Sequence, residues 1–133
     1  HPYCLYDAFI NLGAVQLLQG QGFKVMVPEM FPARQITMEL RNLSKPLFWT
    51  LGQRILGTFR LMWEKGVAGV VYLSAFACGP EALISEMVKR ESKAKGLPLL
   101  KLDLDEHSGE AGFITRMEAF LDLLKRKRGY SCV

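Results

Sequence analysis

No apolar run in this chain approaches the ~20 residues that a membrane-spanning helix needs, and no charged start followed by an apolar stretch opens it as a secretory signal would. These absences lead us to expect a cytoplasmic protein with no membrane partner. Cysteine is scarce: there are three, an odd number at irregular spacing, which argues against a disulfide framework. Histidine is scarcer still, with two. Neither a GxGxxG turn nor a Walker loop is present, so a dinucleotide or NTPase site of those types is unsupported. Internal repeats and low-complexity linkers are also lacking. The net charge of +4 is modest, and much of it lies in Lys125-Arg126-Lys127-Arg128. Such a run suits the negative pole of a helix, and no nucleic-acid partner is expected.

What is present is apolar patterning. Half of the residues are hydrophobic, enough for a real core in a single domain spanning 1–133. His1-Pro2-Tyr3 reads as the exit of a strand whose body lies before residue 1, which predicts a domain excised from a longer protein. Asp7 can cap a helix carrying Phe9, Leu12, Val15, Leu17 and Leu18, with Gly20 and Gly22 ending it. Phe23 to Val27 reads as a short strand stopped by Pro28, and Glu29 to Pro32 as a loop with Met30 and Phe31 packed under a neighbour. A short helix is expected from Ile36 to about Leu43, broken by Ser44-Lys45-Pro46.

A longer helix follows from about Leu47 to Glu64, with Phe48, Leu51, Ile55, Phe59 and Met62 at helical spacing. Trp49, Leu56 and Trp63 widen its apolar face, which fits either a deeply buried crossover helix or an interface with a partner domain or subunit. Val67 to Leu73 reads as a buried central strand. A helix opening at Gly79-Pro80 places Leu83, Ile84, Met87 and Val88 inward, with Lys89, Arg90, Glu91 and Lys93 outward and Gly96 at its close. Leu97 to Leu104 gives another strand, and Phe113, Ile114, Met117, Phe120, Leu121 and Leu124 trace one face of a last helix. Strands alternating with helices specify an α/β fold: a three-layer Rossmann-like or flavodoxin-like parallel sheet with helices on both faces.

In an open parallel sheet, ligands bind beyond the carboxyl ends of the strands. The segments expected there are 1–7, 28–32, 74–81 and 105–110, which hold both histidines and two of the three cysteines. Cys78 precedes Gly79-Pro80 at a helix start, where free N–H groups and the macrodipole favour a thiolate. It reads equally as a small buried residue filling a turn. Asp105, Glu106 and His107 are equally at home as capping groups at a helix entrance. Cys4 has no assignable role, Cys132 in the tail reads as incidental, and Tyr3 and Tyr6 read as packing residues.

Several chemistries fit this edge. Iron–sulfur ligation would use Cys78 with cysteines from another domain. Zinc could take His1, Cys4, Cys78 and His107, although their spacing matches no compact zinc signature. A nucleophile pair would need His1 or His107 beside Cys78. Anion binding at the helix starts after Gly79 and Gly109 is a broader option.

Three motifs in order carry a family resemblance: His1-Pro2-Tyr3 with Tyr6-Asp7, then Ser74-Ala75-Phe76-Ala77-Cys78-Gly79-Pro80-Glu81, then Leu104 to Gly112 with Arg116. Together they resemble the activase-related proteins associated with 2-hydroxyacyl-CoA dehydratases, the CoA-substrate-specific activases, which are themselves similar to the dehydratase subunits and the double-cubane cluster proteins. The resemblance spans nearly the whole chain but only one domain of proteins that are normally much longer. It implies a low-potential electron-transfer system of anaerobic metabolism, with an iron–sulfur cluster held at a domain junction. Cys78 matches the cysteine that a Rossmann-like domain contributes to that cluster, the metal position. Ser74, Gly79, His1, Asp105, Glu106, His107 and Gly109 would line the same crevice, placing the cluster or an acyl-CoA-like substrate. The other domain and its cysteines are outside this sequence, so the cluster belongs to the full-length protein, and the actin-like ATP-binding module is not visible here. The implied partners are other domains of the parent chain and a CoA-ester dehydratase component; no catalytic residue and no independent activity are expected of this domain. The rival expectation is a non-catalytic domain that binds a nucleotide or protein partner, with Cys78 structural.

Overall fold

The structure, a computed structural model, describes residues 5–75, 79–104 and 109–130, without the side chains of 110 and 128–130. It is a mixed α/β chain. Its elements run α1 (Ala14–Gly20), a 3-10 helix (Pro28–Met30), α2 (Ala33–Glu39), α3 (Thr50–Glu64), β1 (Val70–Ala75), α4 (Gly79–Lys95), β2 (Leu99–Leu104) and α5 (Glu110–Tyr130). The described residues fall into two compact units, one drawn from 5–25, 71–75, 98–104 and 109–130, the other from 26–70 and 79–97.

The first unit holds the two-stranded parallel sheet, in which β1 and β2 are hydrogen-bonded neighbours. Side chains alternate across a strand, so Val71 and Leu73 share a face with Leu100, Leu102 and Leu104. That face packs against Ala14 of α1 and against Phe113 and Met117 of α5. The periodicity of α5 is realised as expected: Phe113, Met117, Phe120, Leu121 and Leu124 are all buried. Asp7 caps as expected too, its Oδ1 accepting from the N–H groups of Phe9 at 2.9 Å and Ile10 at 3.2 Å. The helix nevertheless starts later, at Ala14. Asn11 is the reason: it is buried, its Nδ2 donates to the Leu5 carbonyl at 2.9 Å, and its Oδ1 accepts from Ala14 N–H at 3.1 Å. A buried amide bonded to backbone on both sides competes with helical turns. Phe9, expected on the buried face, is consequently 90% exposed.

The second unit is helical. Its core includes Phe31, Ile36 and Leu61, with Met26 and Met62 against them. Phe31 is therefore packed as expected, whereas Met30 is exposed. The buried stripe of α3 is Gly52, Leu56, Gly57, Thr58, Phe59 and Leu61, offset from the stripe that apolar spacing suggested. Glycine explains the offset. A Cβ on Gly57 would lie 2.6 Å from Ile36 Cγ2 and 2.8 Å from the Ile36 carbonyl oxygen, and one on Gly52 would lie 2.9 Å from Ile84 Cδ1. The helices meet where α3 has no side chain. Trp49 and Trp63 turn outward at 44% and 42% exposure, and Phe48 at 89%.

Arg60 ties this unit together. Its Nε donates to Glu91 Oε2 at 3.0 Å, and its Nη1 donates to the Glu39 carbonyl. The hydrogen bond to Glu91 raises the guanidinium pKa above its ordinary value, against a burial effect of opposite sign. Glu91, expected outward, is thus half-buried in an ion pair, while Leu83, expected inward, is exposed. The α3 end is closed by Gly66 at φ 69, where Gly66 N–H bonds to Trp63 O and Val67 N–H to Met62 O. Gly96 repeats that arrangement after α4. Phe23 to Val27, expected as a strand, carries no regular secondary structure. A strand exists through its ladder, and among the described residues this segment pairs with no strand.

Candidate functional site at the strand ends

Because β1 and β2 are parallel neighbours, the chain leaves Ala75 and Leu104 at the same edge of the sheet. Two of the segments singled out from sequence, those that follow Ser74 and Leu104, therefore start side by side. One residue before each exit, the structure joins the strands through side chains. Ser74, only 2% exposed, donates its hydroxyl to Asp103 Oδ1. Lys101 Nζ lies 2.7 Å from the same oxygen, and Arg116 Nη2 donates to the Lys101 carbonyl at 2.7 Å from α5. The guanidinium that formed part of the third motif thus braces the back of β2.

Gly79 is the first residue of α4, and Gly109 immediately precedes α5, its carbonyl accepting from Phe113 N–H at 3.2 Å. Among the described residues, added Cβ atoms at these two glycines would meet nothing within 4 Å. His1, Cys78, Asp105, Glu106 and His107 lie outside the described residues, as do Cys4 and Cys132. The structure therefore brings Ser74 to the shared edge and places Gly79 and Gly109 at helix starts.

Asp103, Lys101 and their network were missed in the sequence, although a signal was there. In Leu100-Lys101-Leu102-Asp103-Leu104, period-2 alternation puts two opposite charges on one face, in a strand whose other face is wholly leucine.

An iron–sulfur cluster held by thiolates requires four of them, one more than this sequence contains. Among the described residues, no group of three or more His, Cys, Asp or Glu could hold a metal ion. The cysteines of this sequence do not by themselves make up such a set of four thiolates.

The helices and the two parallel strands define a mixed α/β chain. A family model described as 2-hydroxyglutaryl-CoA dehydratase, D-component, matches residues 20–124, and the chain belongs to that family. The matched range includes both strands and the segments after them. Neither the curated proteins nor the solved structures gave a match. Among the described residues, no helix is long and apolar enough to cross a membrane.

Proposed function

We propose that this chain is a three-layer Rossmann-like domain of a 2-hydroxyacyl-CoA dehydratase component, and that Cys78 contributes one thiolate to an iron–sulfur site completed by cysteines outside it. The observation that carries this reading is the family match over 20–124, which contains Cys78 and the 105–109 segment. When bound, such a cluster supplies one-electron transfer at low potential. What this chain's own residues do is local. The start of the 17-residue helix α4 follows Cys78 directly in sequence, and in this reading the positive end of the helix dipole favours the thiolate over the thiol. In this reading the protein works in the cytoplasm beside other domains of its parent chain and a CoA-ester dehydratase component. An activase-related parent would use Cys78 in the same way; the dehydratase-component match favours the dehydratase side.

The test is anaerobic reconstitution of the full-length protein, wild type against Cys78→Ala. Loss of iron and of cluster absorbance in the variant is the expected result, and unchanged iron content overturns the ligand assignment.

A second reading rests on a separate observation. Phe48 and Trp49 form an exposed edge-to-face pair, with ring centroids 6.3 Å apart at 88°. Exposed aromatics of this kind suit a protein-partner interface. Under this reading Phe48→Ser with Trp49→Ser weakens assembly of the parent components at unchanged iron content; unaffected assembly removes it.

A further inference from the structure

We propose that Ser74 and Asp103 are positioning residues, a clamp that fixes the spacing of the two strand ends from which the Cys78 segment and the 105–108 segment depart. The inference rests on the reading of Cys78 as a ligand, and it names what holds the strand end leading to that ligand in place.

Ser74 stands in β1 after Val70, Val71, Tyr72 and Leu73, on a strand otherwise suited to burial. Burying a hydroxyl is unfavourable unless it is hydrogen-bonded. Asp103 supplies that bond, and a hydroxyl donating to an ionised carboxylate makes a stronger hydrogen bond than a neutral pair does. The carboxylate is itself held by Lys101 at 2.7 Å, two residues back on the same face of β2. Lys101's backbone is in turn held by Arg116 of α5. A short chain of polar contacts therefore runs from β1 through β2 to α5.

Placement gives the chain its role. Ser74 and Asp103 are each the next-to-last residue of their strands. The buried leucine face and the backbone ladder already set the register of the two strands, and a directed hydrogen bond at their next-to-last residues adds a fixed geometry at the exit. Setting the spacing there sets where both following segments begin.

The test uses the metal-free full-length protein and hydrogen–deuterium exchange. In Ser74→Ala, exchange in peptides covering 76–78 and 105–108 should rise about tenfold, with α3 unchanged and Ser74→Thr restoring the wild-type pattern. Asp103→Asn, at a half-exposed position, should move the same two segments in the same direction and serves if Ser74→Ala does not fold. Wild-type exchange in both variants, a rise spread evenly over the protein, failure of Ser74→Thr to restore, or wild-type segments already exchanging like free peptide would each overturn the clamp. Iron content of Cys78→Ala, measured in parallel, decides the ligand reading separately. Unchanged iron there alongside altered exchange in Ser74→Ala would sink the ligand while the clamp stands.

Discussion

In the unit built from α2, α3 and α4, helices meet at glycines, with Ile36 seated against Gly57 and Ile84 against Gly52. In the unit that carries β1 and β2, the contacts are ordinary side-chain packing, Leu102 with Phe113 and Met117, and the unusual feature is polar: a buried serine joined to a carboxylate at the strand ends. The helical unit has its ion pair too, in which Arg60 and Glu91 join the helix bodies of α3 and α4. The contrast separates two uses of polar groups. One secures a scaffold, and the other sits where the chain turns toward its candidate chemistry.

Mutations can break or sharpen that contrast. Met117→Ala, at a site with no exposure in the core of the first unit, should destabilise by about 2–5 kcal/mol in denaturant unfolding, as large-to-small changes in packed cores do. A much smaller loss would mean that this core relaxes around the cavity. Gly57→Ala should destabilise by about 1–3 kcal/mol despite the better helix propensity of alanine, because the Ile36 backbone blocks the new methyl. Neutral thermal stability would show that the helices can part. Arg60→Ala should cost about 1–2 kcal/mol by leaving Glu91 and the Glu39 carbonyl without their donor. Since the Arg60 pKa is raised, its share of the ion pair is fully present below the unfolded value and fades only in strongly alkaline solution; an arginine-linked change near neutral pH would contradict this. The smallest effect has the opposite sign. Gly112→Ala, in a helix position with open space, should stabilise by about 0.5–1 kcal/mol in a thermal melt. The same substitution at Gly57 and Gly112 thus yields opposite outcomes if the two units are built as described.

The sequence made α5 legible because one long amphipathic stripe, Phe113 to Leu124, dominates its pattern, and the strand at 99–104 because leucines alternate with charges. The helix ends at Gly22, Gly66 and Gly96 were legible for a local reason, since each closes its helix by the same pair of backbone hydrogen bonds. In α3, Leu56 and Phe59 were legible on the buried stripe, but Gly52 and Gly57 were not, because apolar spacing is blind to contact made through glycine. Nor was the late start of α1, which depends on a buried Asn11 satisfying Leu5 and Ala14. At the candidate site, Ser74 could be read from its place before a turn. Asp103 left a local signal, the alternation of charge and leucine in β2, but its pairing with Ser74 is a property of register rather than of local pattern.

The most direct measurement of the central claim is the iron-to-protein ratio of the full-length protein after anaerobic reconstitution, for Cys78→Ser, Cys4→Ser and Cys132→Ser side by side. The account predicts that iron falls in Cys78→Ser alone. Equal iron in all three, or loss confined to Cys4→Ser or Cys132→Ser, would contradict it.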